Sequence, residues 1–164
     1  MSVDANVRLT GRLDPRSAWS AIEGCSIGKA LDLLRTPSLF LIMREAFYGT
    51  SRFEEFAERV GLSDPATAAR LRDLVDGGLL ERHGYREPGQ RTRQLYRLTE
   101  KGADLFPVLV ALMEWGDRWE NDGGGVELRH RGCGAKTGVE LRCEAGHRLR
   151  SGDLELAAVP RRKR

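Results

Sequence analysis

The chain has 164 residues, 40% of them hydrophobic and 31% charged, which suits one domain with an appendage and argues against wholesale disorder. Its longest unbroken apolar run, 105–113, is nine residues long and contains Pro107, well short of the about 20 that a membrane span needs. Lys and Arg total 27 against 24 Asp and Glu, for a net charge of +3, and all but Lys29, Lys101, Lys136 and Lys163 of these bases are Arg. Arg offers a flat, permanently charged fork that suits phosphates and guanine edges, but GC-rich coding would enrich it too, so placement must decide.

Residues 1–18 are polar and lack apolar periodicity, which predicts a flexible N-terminal arm. Asp4, Arg8, Arg12 and Asp14 interrupt any apolar signal stretch, and three cysteines make an odd set for a disulfide framework. The expectation is a cytoplasmic protein without a membrane partner. From 19 to 120 the patterning is dense. Gly24-Cys25-Ser26 opens a helix carrying Ile27, Ala30, Leu31 and Leu34 at helical spacing. Thr36-Pro37 reads as cap and first turn of a second helix, apolar nearly all round from Leu39 to Met43 and ending near Gly49. Phe53, Phe56, Ala57 and Val60 form the inner face of a short third helix. Gly61-Leu62 then breaks the chain, Ser63-Asp64-Pro65 restarts it as a helix to about Asp76, and Gly77-Gly78 stops it. Helix, tight turn, helix is the layout of a helix-turn-helix. Two strand patterns, 79–82 and 94–98, flank an Arg-rich stretch that turns at Pro88-Gly89. Thr99-Glu100 caps a last long helix, 101 to about 120. The predicted fold is α+β and mostly helical: a winged helix-turn-helix with a two-stranded wing, then a small β-rich C-terminal appendage over 121–164.

The stretch from Cys25 to Trp119 resembles HxlR-type winged helix-turn-helix transcriptional regulators. The matching pieces are ALDLL, LIMREAFYGTSRFEEF, GLLERHGYREPGQRTRQLYRLTEKG and LMEWGDRW. The resemblance implies a dimeric, cytoplasmic repressor or activator whose partner is double-stranded DNA, and no enzyme. Two departures stand out. Ser38, in Arg35-Thr36-Pro37-Ser38, occupies a place where the family usually has a tryptophan, and Thr67 replaces a usual aliphatic residue.

Plotted at 100° per residue, 64–76 puts Ala68, Leu71, Leu74 and Val75 on one side. Ala66, Ala69, Arg70 and Asp73 lie on the other, with Thr67 at the border. The outer side would face the major groove, where such a helix docks N-terminus first, and its first-turn N–H groups suit a phosphate. Ser63, Thr67 and Arg70 are therefore the candidate contacts on this helix. One long outward side chain makes direct readout modest and leaves DNA shape to share the discrimination. Between Arg82 and Arg97 the wing carries five Arg against one acid, Glu87. Arg86, Arg91 and Arg93 are its candidate DNA contacts, with Arg91 and Arg93 on the same side of an extended hairpin. The plain readings are a solvated helix face and a solvated hairpin, and the same arginines would suit an acidic protein.

Cys25 stands just before the first helix, where the helix dipole lowers a thiol pKa. The resemblance implies an oxidant or electrophile sensor for a cysteine at this place in some members; a small buried hydrophobe is the plain alternative. Asn121 to Gly125 reads as a Gly-rich linker. Beyond it, His130, Cys133, Cys143 and His147 are spaced as two arms on predicted strands 126–129 and 139–142. Zinc, a metal-free hairpin and a Cys133–Cys143 disulfide are the three readings of this cluster; no other cofactor is implied. Arg161-Arg162-Lys163-Arg164 is a basic tail. Leu105, Leu109, Leu112, Trp115 and Trp119 form the stripe expected to join two protomers, because it exceeds what one small core can hide. The functional reading is a sequence-specific regulator, a repressor on inverted repeats, released by a small molecule or an electrophile. The rival is a winged-helix ligand- or protein-binding module without specific DNA binding. An enzyme using the Cys/His tail lacks a general base, an oxyanion group or a cofactor loop.

Overall fold

The computed structural model describes residues 6–18, 25–86, 93–121 and 125–158. The chain falls into two units, one of Ser26–Gly138 and one combining Met1–Cys25 with Val139–Arg164.

In the first unit the apolar spacing of the sequence becomes the core. Helix α1 (Ser26–Leu33) leads to α2 (Pro37–Phe47), which starts where Thr36 is extended and Pro37 presets the first turn. Leu39, Ile42, Met43 and Ala46 recur at helical spacing on α2 and are all buried. Against them pack Phe56 of α3 (Phe53–Val60) and Leu71 and Leu74 of α4 (Asp64–Asp76). Gly61 joins α3 to α4 at φ +70, a left-handed conformation that glycine adopts without steric cost.

Strands β2 (Leu80–Tyr85) and β3 (Arg93–Leu98) pair antiparallel, with Leu80 opposite Leu98 and Tyr85 opposite Arg93. A one-residue bridge from Arg52 to Leu95, and the Tyr96 N–H donated to the Ser51 carbonyl at 2.8 Å, tie this hairpin to the start of α3. The Tyr96 ring meets Phe56 edge-on at 6.2 Å. The base of the wing is thereby held by the core.

The predicted last helix is two: α5 (Glu100–Ala103) and α6 (Phe106–Trp119). Pro107 lies in the first turn of α6, and its missing N–H there removes no helical bond, whereas continuing one helix through it would. At Gly102 an added β-carbon would lie 2.1 Å from the Leu79 carbonyl oxygen, so α5 approaches β2 only through glycine. The Thr99 hydroxyl accepts from Gly102 N–H at 3.0 Å and donates to the Gly78 carbonyl at 2.7 Å, fixing that approach.

The second unit corrects the expectation of a flexible arm. Strand β1 (Arg8–Leu9) pairs in parallel with β6 (Glu155–Leu156), and two 3-10 turns, Gly11–Leu13 and Arg16–Ala18, follow it. A two-residue strand satisfied by a partner some 146 positions away leaves no local periodicity to read. The C-terminal strands are also shorter than expected. Leu141–Arg142 (β4) pairs with Arg148–Leu149 (β5), while 126–129 contributes only a bridge from Arg129 to Lys136 and belongs to the first unit. Beside β4, a hydrogen bond from Arg142 at 2.6 Å, helped by the charges of Arg142 and Arg148, holds the Glu140 carboxyl below its ordinary range. Among the described residues no helix is long and apolar enough to cross a membrane.

Candidate nucleic-acid interface

Helix α4 follows the tight Gly61-Leu62 turn and buries Leu71 and Leu74, so its opposite side and its N-terminus face outward. Ser63 is exposed at the N-cap, and its hydroxyl makes no capping bond. It stands where the helix begins, as a groove contact requires, next to the exposed carboxylate of Asp64. Thr67 is different. The border position turns inward: Thr67 is fully buried, and its hydroxyl oxygen has no hydrogen-bond partner. Thr67 is thus removed from the candidate contacts. It occupies a core position, which is why an aliphatic residue would serve there.

Arg70 stays on the outer side but is already engaged. Its Nη1 donates to Asp73 Oδ2 at 2.7 Å, and Arg35 Nη2 reaches the same oxygen at 2.8 Å. Only 27% of the Arg70 side chain is exposed, so a guanine contact would have to break this pair. The exposed base of α4 is Arg72, which the helical plot did not single out because it sorts sides by their apolar residues.

On the wing, Arg82, Arg86, Arg93 and Arg97 are all exposed. Arg93 Nη1 lies 3.7 Å from Glu54 Oε1, with both groups more than half exposed, so this pair is weak and solvent-screened. Glu81, opposite Arg97 in the ladder, instead takes His83 Nε2 at 2.8 Å. Arg91 lies outside the described residues, as does the basic tail. A further base escaped the sequence reading: Arg52, whose guanidinium sits over the Tyr85 ring at 5.5 Å. It reaches the wing through the one-residue bridge to β3, and a single bridge has no alternation to betray it.

The stripe of the last helix divides. Leu105 and Leu109 pack against the core and leave the expected interface. Val108, Leu112, Trp115 and Trp119 stay exposed, from 48% at Val108 to 64% at Trp119, and repeat at spacings of four, three and four. On α1, Ile27 and Leu31 are exposed in the same way. Cys25 is a half-buried free thiol immediately before α1, and Cys133 and Cys143 are free thiols as well. His130 Nδ1 lies 3.2 Å from Cys133 Sγ, and Cys143 Sγ lies 3.5 Å from His147 Nδ1. Each arm forms by itself, in a different unit. Among the described residues no group of three or more His, Cys, Asp or Glu converges as a metal site, and a closed zinc site needs four ligands.

Comparison with known proteins agrees with this geometry. The family described as HxlR-like helix-turn-helix matches residues 39–123. A helix-turn-helix transcriptional regulator of Mycobacterium tuberculosis is 42% identical over 123 residues, covering 74% of this chain and 77% of its own. The crystal structure of PA1607, described as a transcription factor, superposes with a TM-score of 0.73 at 32% identity, over 93% of this chain and 100% of that one. The reduced form of the transcriptional regulator YodB from Bacillus subtilis gives a TM-score of 0.51 at 29% identity, over 61% of this chain and 97% of its own. These proteins are transcription regulators, not enzymes.

Replacing Thr67 by Val keeps the shape and removes a buried hydroxyl that lacks a partner. Urea unfolding should show a gain of about 1 kcal/mol, with DNA affinity unchanged. A Thr67→Val protein that folds but loses affinity would return this residue to the interface.

Proposed function

Because the chain belongs to the HxlR-like helix-turn-helix family of transcriptional regulators, we propose that it acts as a homodimeric repressor on inverted-repeat DNA. The observation that carries this reading is the presence, in one unit, of an outward α4, an Arg-bearing wing and the exposed stripe Val108, Leu112, Trp115 and Trp119. Two protomers joined through α6, with α1 beside it, would offer two α4 helices to half-sites one helical turn apart, about 34–36 Å. Ser63 and Arg72, both exposed, would be the side chains that meet the groove. The wing arginines and Arg52 would take phosphates, positioning the protein without reading sequence. Because α4 presents few long side chains, DNA shape carries part of the specificity. The pairing of Arg70 with Asp73 also favours the rival reading, a module without specific DNA binding. The two differ in whether operator and random DNA are distinguished.

The signal that lifts repression would be a small molecule or an electrophile that bonds to the Cys25 sulfur. Two features support the electrophile. Cys25 immediately precedes α1, where Ile27 and Leu31 are 72% and 57% exposed, and the similar regulator YodB is described in a reduced form. An adduct there would sit one residue before α1, whose exposed residues are assigned to the dimer. The tail cysteines would be the competing targets.

If two protomers together neutralise about eight phosphates, the log of the affinity should fall with log salt at a slope of about −7. Replacing both Arg86 and Arg93 by Ala should flatten that slope by about 3 to 4, weakening all sequences alike. A slope unchanged in the double variant takes the wing out of the interface. N-ethylmaleimide should release DNA from the wild-type protein and spare Cys25→Ser; equal release from both would make Cys25 a packing residue.

A further inference from the structure

Helices α2 and α6, with Asn121, Val126 and Leu128, line an open cavity of about 540 Å³ within the first unit, a size suited to drug-sized molecules. One wall is aromatic: Phe40, Phe47, Tyr48 and Phe106, with the Phe47 and Phe106 ring centroids 4.8 Å apart. Leu109, Val110 and Met113 line it from α6. Its charged groups are Arg44, Glu45 and Asp117, which leave the wall one negative charge in excess. Glu45 is only 7% exposed, an unusual place for a carboxylate. Arg44 donates to it through Nε at 2.9 Å and Nη2 at 2.8 Å, and both bonds end on Oε1. A carboxylate has more acceptor sites than these two bonds occupy, so Glu45 can still accept from a ligand.

The cavity shares Leu112 with the α6 stripe, and the rest of its α6 lining lies round the helix from that stripe. At 100° per residue, Phe106, Val110, Met113 and Asp117 centre roughly 130° or more round the helix from Val108, Leu112, Trp115 and Trp119. A dimer built on the stripe would border the cavity at Leu112 and leave Phe106, Val110, Met113 and Asp117 to another occupant.

We propose that the α2–α6 cavity is a binding site for an aromatic cation, a lipophilic molecule of about 20–30 heavy atoms carrying one positive charge. The aromatic faces attract a cation through their quadrupoles, Glu45 and Asp117 neutralise it, and the α6 side chains take up its apolar body. An anion of the same shape would meet two carboxylates against one guanidinium, Arg44, which is already paired with Glu45, and a neutral hydrocarbon would strip water from Glu45 without replacing it. Because α2 also packs on α3 and α4, an occupant that wedges α2 against α6 shifts the recognition helix. This effector role rests on the regulator reading above, whereas the binding site does not.

Calorimetric titration of the full chain with tetraphenylphosphonium and with tetraphenylborate tests the site, since the two ions match in size and shape and differ in charge. The protein carries a net charge of +3, so bulk attraction favours the borate. The site requires the phosphonium to bind at least tenfold tighter, with that preference lost in Glu45→Gln. Should Glu45→Gln fail to fold, Asp117→Asn, at a half-exposed position, must weaken the preference instead. Equal binding of both ions, tighter borate, no binding, or a preference kept in folded Glu45→Gln and Asp117→Asn overturns the proposal. DNA released by saturating phosphonium supports the effector role, and DNA retained while phosphonium is bound removes that role. A protein that binds phosphonium but never binds DNA contradicts the regulator reading and leaves the cavity assignment standing.

Discussion

Burial of the Leu39, Ile42 and Met43 face of α2 determines where everything else can go. These three side chains are wholly excluded from solvent, and burying each contributes about 1.5–3 kcal/mol. The partners that cover them are Phe56 on α3, Leu71 and Leu74 on α4 and Leu80 at the base of the wing. One helix thus orients α4 and the hairpin together, through one shared core. The other side of α2 carries Arg44 and the aromatic wall of the cavity, so a ligand there and a DNA site on α4 would act on a shared rigid element.

Electrostatics is set more locally than the count of arginines suggests. Asp73 holds Arg70 and Arg35, Arg59 donates to Thr50 at 2.5 Å, and Arg44 is tied to buried Glu45. These bases serve the fold. Those left at the exposed positions of α4 and the wing, Arg72, Arg82, Arg93 and Arg97 among them, form the surface that a phosphate backbone would meet.

Much of this was legible in the sequence. The four helices up to Asp76, the hairpin and the helix-turn-helix layout follow from apolar period, caps and glycine stops, which are local signals. What escaped depends on partners distant in sequence. Thr67 lay on the border of a helical plot, and only the packing of α4 against the core turned it inward. Arg52 joins the wing through a single bridge to Leu95. The pairing of β1 with β6 spans nearly the whole chain, and two residues per strand carry no pattern. Pro107 was visible, yet the break between α5 and α6 also needed Gly102 to bring α5 against Leu79. The apolar residues of α6 and its N-cap divide between core-packed Leu105 and Leu109 and exposed Leu112, Trp115 and Trp119, and period alone does not separate them.

In the proposed regulator the exposed α6 stripe joins two copies of the α4–wing surface. Sedimentation equilibrium of Trp119→Lys beside the wild-type protein tests it most directly, because a shared stripe would have to bury the new charge. A wild-type dimer and a folded, monomeric Trp119→Lys are expected. A dimer that persists unchanged in Trp119→Lys, or a wild-type protein that sediments as a monomer at every concentration, would contradict it.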